Sequence, residues 1–129
     1  MAVDLNYTLA DAMLNTYDTH FPAGSLLQFR SGPPPGAENA ASGTLLAEIT
    51  TPVSPWGAAG NGTKPKANIW SVTAVAGGTI GHYRFKNAAD TKREEGTVTA
   101  TGGGGDITVD NLVITVTQVI TVNTFTKIL

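Results

Sequence analysis

The chain has 129 residues, enough for one domain with a single modest core. Only 14% of residues are charged and the formal net charge is −2, which excludes the broad positive field that holds nucleic-acid phosphates. Cysteine is absent, so disulfides, thiolate zinc sites and cysteine nucleophiles are excluded, and packing or subunit association must supply the stability.

In chain order, Met1-Ala2-Val3-Asp4-Leu5-Asn6 lacks a basic segment followed by an apolar one, and no apolar run is long enough to cross a bilayer. The expectation is a chain made in the cytoplasm, unprocessed, with no membrane partner. Thr8 followed by Asp11 reads as an N-cap with a supporting acid. Leu9, Ala10, Met13, Leu14, Tyr17 and Phe21 then share one helical face, which predicts a helix over residues 8–19. Pro22 and Gly24 end it, so residues 1–24 form a helical arm and residues 25–129 a separate domain.

Beyond Gly24 the chain reads as short strands between Gly, Pro, Asn and Ser, the pattern of an antiparallel β-sandwich or barrel. Strands are expected over residues 25–31, 44–50, 67–75, 80–87, 96–101, 106–116 and 118–128, with a turn near Thr117-Gln118 in the last apolar run. In the 80–87 segment Tyr83 and Phe85 alternate with His82, Arg84 and Lys86, which puts aromatics on one face and cations on the other. Residues 57–63 and the glycines 102–105 read as exposed turns. Lys92-Arg93-Glu94-Glu95 reads as a charged hairpin tip.

The search for chemistry returns little. His20 and His82 lack metal-ligand spacing and read as surface or edge residues. No Gly-x-Ser-x-Gly elbow is present. Asp11 and Asp18 fall on one helical face about 10 Å apart, a solvated stripe or a docking face. Asp106 and Asp110 are about 13 Å apart on a strand and read as turn-flanking residues. A hydrolase would need Glu48, Glu94, Asp106 or Asp110 to converge, and their spacing does not suggest it. The glycine tetrad lacks the Lys and the following helix of a phosphate loop. No catalytic, cofactor-binding or metal-ligating residue is predicted, and no cofactor. Trp56 and Trp70 read first as core or interface anchors, and second as a platform for sugar rings. Thr, Ala, Gly and Asn stand where a monomer usually carries Lys, Glu and Asp, so part of the surface is expected to be covered.

One stretch carries a resemblance. Leu27, Phe29, Ser31, Gly32 and Pro35, the small residues Ala37, Ala40 and Ala41, and then Gly43, Leu45, Leu46, Ala47 and Ile49 match an apolar strand, x-Ser-Gly-x-x-Pro, an Ala-rich linker and Gly-x-Leu-Leu-Ala-x-Ile. Trp56-Gly57-Ala58-Ala59, Gly81-His82-Tyr83-Arg84-Phe85, Gly96-Thr97-Val98 and residues 105–109 continue the pattern to the end of the chain. It resembles the cement or decoration proteins of tailed-bacteriophage heads. The resemblance implies a jelly-roll-like antiparallel β-sandwich with one short N-terminal helix, and a non-enzymatic role on the outer surface of the virion capsid. The implied partners are the major capsid protein and the chain itself, as a homo-dimer or homo-trimer. The expected contact set is Leu9, Met13 and Tyr17 of the helix with Pro33, Pro34 and Pro35 of the loop. The alternative expectation is a carbohydrate- or receptor-binding module of a phage fibre that uses Trp56 or Trp70.

Overall fold

The computed structural model describes residues 4–129, and Met1, Ala2 and Val3 lie outside the described part. Helix α1 (Tyr7–Leu14) begins two residues earlier than a Thr8 cap would place it. Asn6 is extended and its Oδ1 accepts the Leu9 N–H at 3.0 Å, so Asn6 is the N-cap and Thr8 falls within the first turn. The helix breaks at Asn15 and resumes as α2 (Thr16–His20). Of the predicted apolar face, Ala10, Leu14 and Phe21 are buried, whereas Leu9 and Met13 are half exposed.

The rest is β structure in antiparallel sheets, a β-sandwich with the short helical segment at its N-terminal end. Its strands are β1 (Leu26–Arg30), β2 (Leu45–Thr50), β3 (Thr63–Pro65), β4 (Ser71–Thr73), β5 (Gly78–Thr79) and β6 (His82–Lys86). They continue as β7 (Arg93–Gly96), β8 (Val98–Ala100), β9 (Ile107–Val109), β10 (Val113–Ile114), β11 (Val119–Thr121) and β12 (Thr124–Ile128). One sheet has the order β2-β1-β6-β7 and another β3-β12-β9-β8, in which only β8 and β9 run parallel. The long segment expected over 106–116 is two strands, because Asp110 and Asn111 interrupt it.

The two remaining pairs, β11 with β4 and β10 with β5, share one register. Thr121 lies opposite Ser71, Val119 opposite Thr73, Ile114 opposite Gly78 and Val113 opposite Thr79. The Val122 N–H to Trp70 carbonyl bond and the Ile80 N–H to Leu112 carbonyl bond, each 2.9 Å, extend the ladder at both ends. They are therefore one antiparallel ribbon with an irregular centre, where Thr117 adopts φ 72° and Gln118 N–H returns to Thr115 O.

The core is aromatic. Phe21, Trp56, Trp70, Tyr83, Phe85 and Phe125 touch one another, from Phe21 stacked on Phe85 at 4.4 Å to the edge contact of Trp56 with Trp70 at 5.3 Å. Phe21 belongs to the arm by sequence and to the core by packing. The arm is also tied down by polar contacts: Asp11 Oδ1 accepts the Gly62 N–H at 2.8 Å, and Lys64 Nζ donates to Asn15 Oδ1 and bridges Asp18 at 3.1 Å. The Asp11–Asp18 stripe is thus a docking face for the chain's own β3. Lys64 is itself fully buried, with the Gly57 carbonyl as its third acceptor.

Candidate functional site

On the outward face of the β2-β1-β6-β7 sheet, the register sets Glu48, Gln28, Arg84 and Glu95 side by side across all four strands. Gln28 Nε2 donates to Glu48 Oε2 at 2.7 Å, and Arg84 Nε stands 3.0 Å from Glu95 Oε2. The last two are paired as charges without the alignment of a hydrogen bond. Both side chains are nearly inaccessible, at 4% and 6% exposure. What buries them is the proline loop. Residues 32–43 cross this face as a strap, and Arg84 Nη2 donates to the carbonyls of Gly36, Ala37 and Asn39 while Glu95 Oε1 accepts the Gly36 N–H at 2.8 Å.

The ends of the strap are clamped by backbone. Ser31 N–H donates to Thr44 O at 3.1 Å, and Gly43, at φ +74°, lies so close that a Cβ there would be 1.9 Å from Ser31 O. His82 is fully buried rather than a surface or edge residue, because the strap covers its side of β6. Its Nδ1 donates to the Gly32 carbonyl at 2.9 Å, and Nε2 has no partner among the described residues. For the same reason β6 is buried on both faces instead of one.

The opposite face of β7 builds a second polar cluster. Glu94 accepts from Tyr17 Oη at 2.5 Å and Tyr83 Oη at 2.7 Å, and Lys127 Nζ lies 2.8 Å from its Oε2. Burial, followed by the charge of Glu94 and the hydrogen bond to it, pushes both phenols well above their usual range. Lys92-Arg93-Glu94-Glu95 is therefore no hairpin tip. Arg93 to Glu95 are in the sheet, and the tip is the turn at residues 87–92, where Asn87 caps Thr91 and Lys92. Glu94 could be found only through partners that arrive from α2, β6 and β12.

The predicted contact residues divide accordingly. Pro33 and Pro34 are exposed at the crest of the strap and Pro35 is half-buried; Leu9 and Met13 face solvent along α1. Tyr17 turns inward, stacked on Phe21 at 5.5 Å and bound to Glu94. Beside it an open cleft of about 400 Å³ is lined by Tyr17, His20, Phe21, Glu38, Lys92 and Arg93. Its charges are mixed, and Arg93 is already paired with Asp90 at 2.7 Å, an exposed ion pair that holds the Asp90 carboxyl below its ordinary value.

Trp56 and Trp70 lie in the core, at 7% and 0% exposure, with their indole N–H groups bound to Phe21 O and Ala67 O. Neither offers a ring face to a sugar, which removes the platform of the fibre-module alternative. Glu48, Glu94, Asp106 and Asp110 each have separate partners: Gln28, the two tyrosines, Thr97 and Asn123. Among the described residues no group of three or more His, Asp or Glu is placed to hold a metal ion, and no helix is long and apolar enough to cross a membrane. No family model, curated protein or solved structure matches this chain.

Proposed function

We propose that this chain is a non-enzymatic structural protein of a tailed-phage virion, a cement or decoration protein with a jelly-roll-like sandwich that binds the major capsid protein on the outside of the head. The observation that carries the reading is the strap. The stretch with the family resemblance is an exposed loop ordered in advance by a buried Arg84–Glu95 pair, by three carbonyls on Arg84 and by a clamped base. A loop held in one shape loses little conformational entropy when Pro33 and Pro34 meet a partner, so weak contacts repeated by lattice symmetry add up.

Heads lacking the protein test this directly. Purified chain is expected to co-sediment with such heads, and Pro34→Lys is expected to reduce the bound amount about tenfold without changing the melting temperature, because a charge is then desolvated at the contact. Sedimentation with tails alone, or unchanged binding by Pro34→Lys together with Pro33→Lys, overturns the reading. The helix contribution is tested with Leu9→Lys and Met13→Lys. Removing the first 22 residues would extract Phe21 from the core and confuse unfolding with lost contact.

A further inference from the structure

Among the described residues Lys64 is the one lysine whose side chain is fully buried, and the groups around its Nζ are of three kinds. The Asn15 Oδ1 lies 3.0 Å away, the Asp18 Oδ2 3.1 Å and the Gly57 carbonyl oxygen 2.9 Å. An amine, a carboxamide and a carboxylate thus meet at one point. Asn15 stands at the break between α1 and α2 as the N-cap of α2, a position that an Asn side chain fills well. Here the side chain makes no capping bond and turns to Lys64 instead, and among the described residues its Nδ2 donates to nothing. Opposite Lys64 in the β3–β12 register stands Lys127, so two cations share one inward position. Lys127 is held by Glu94 at 2.8 Å, which leaves Asp18 as the carboxylate of Lys64.

We propose that the chain joins Lys64 to Asn15 through an isopeptide bond, with Asp18 relaying the proton. Asp18 takes a proton from the Lys64 ammonium, and the freed lone pair on Nζ attacks the Asn15 Cγ. A second proton moves from Nζ to Nδ2, the Cγ–Nδ2 bond breaks, and ammonia leaves as ammonium with the proton that Asp18 held. Nζ keeps one N–H, which the Gly57 carbonyl accepts, and nothing is oxidised or reduced. The reach is short: with Oδ1 at 3.0 Å and a C=O bond of about 1.23 Å, Cγ lies no more than about 4.2 Å from Nζ. A broad χ2 lets the amide turn its face to Nζ, and a shift of about 1 Å then reaches attack distance. Solvent access favours the product, because Asn15 and Asp18 are exposed although Lys64 is not, so the ammonium escapes and the carboxylate left behind is hydrated. The bond also removes a buried positive charge opposite Lys127, and like charges directly opposite each other are destabilising. In a chain with no cysteine it closes residues 15–64 into a ring and fastens the arm to the sandwich, the task a disulfide would otherwise perform. An ammonium held by the same three acceptors keeps the same neighbours, so mass decides between the two.

Intact-mass spectrometry of the folded full chain, held at room temperature until its mass stops changing, reads the bond directly. The expected deficit from the sequence mass is about 17 Da, the ammonia lost. Trypsin should then release residues 1–30 joined to residues 31–66, because Arg30 is the first cleavable position and Lys64 precedes Pro65. The joined peptide is the decisive product, since a succinimide at Asn61-Gly62 loses the same mass and joins nothing. Asn15→Ala is expected to keep the full mass, and Asp18→Ala to form the bond at least about a hundredfold more slowly, with near-ultraviolet circular dichroism showing both folded. The parent's mass and peptides decide the bond even where a variant fails to fold. The full sequence mass in the folded parent, or a deficit without the joined peptide, overturns the inference and leaves Lys64 an ammonium. A joined peptide that forms as fast in Asp18→Ala overturns the relay.

Discussion

On the outside of the four-stranded sheet, Glu48, Gln28, Arg84 and Glu95 form a polar row that the chain covers with its own residues 32–43. On the outside of the ribbon, Thr73, Val75 and Val119 stand uncovered. Burying charge is costly without partners, so the covered face needed a strap whose carbonyls accept from Arg84 and whose Gly36 N–H donates to Glu95. The bare face has no charge to satisfy and costs the monomer little to leave open. Where this sheet carries charge, the chain supplies its own cover; the ribbon, which carries none, is left open.

The largest effect expected from breaking this contrast is at the latch. Arg84→Leu leaves Glu95 buried without its cation and should cost about 3–5 kcal/mol in urea denaturation. Arg84→Leu with Glu95→Leu removes both charges and should recover most of that loss, because a buried pair gains little over apolar packing. The Gly36 amide should lose hydrogen-exchange protection in both variants, since its acceptor on Glu95 is displaced or gone. In the Arg84→Leu, Glu95→Leu variant, where global stability is mostly recovered, protection of the Val122 amide bonded to Trp70 should match the parent. If it falls there together with Gly36, the two faces are one cooperative unit and the comparison fails.

An intermediate effect is expected on the inner side of β7. Tyr17→Phe removes the 2.5 Å bond to Glu94 but leaves Tyr83 and Lys127 on that carboxylate, a loss of about 1–2 kcal/mol for a half-exposed partner of a charged group. The pH dependence follows from the raised phenols. Tyr17 and Tyr83 keep their protons in the folded chain at pH values where the unfolded chain, with phenols near 10, has released them. Their contribution is complete below pH 10 and declines as pH rises above it. Tyr17→Phe should therefore make the alkaline loss of stability shallower. An equally steep loss in the variant would show that Tyr17 is not one of the two phenols responsible.

These same residues show what local sequence could reveal. Strands β1 and β2 are legible as short apolar runs between Gly and Pro, and β6 because Tyr83 and Phe85 alternate with His82, Arg84 and Lys86, from which the direction of every β6 side chain follows. Whether that direction meets water does not follow: His82 and Arg84 point outward as alternation requires, and are buried because a loop fifty residues earlier returns over them. β7 escaped because Arg93-Glu94-Glu95 has no apolar residue to mark an inward face, and Glu94 faces inward only where Tyr17, Tyr83 and Lys127 converge. Lys64 escaped likewise, since two of the three acceptors that permit its burial, Asn15 and Asp18, come from the arm, 49 and 46 residues away. The charge-free ribbon, by contrast, is written plainly in composition, and only the pairing of its two stretches needed the structure.

The smallest effect on stability should come from the bare face. Thr73 lies opposite Val119 and points away from the core, so Thr73→Lys can lay its methylene stem along Val119 and keep its ammonium in water. The lost β-branching and the gained stem nearly offset each other, which predicts a change within about 0.5 kcal/mol in urea denaturation of the monomer. A cost above about 1 kcal/mol in dilute solution would mean that Thr73 is packed rather than open, and the two faces would no longer differ in kind. A small cost would show that this face does not hold the monomer together, where the Arg84–Glu95 latch does.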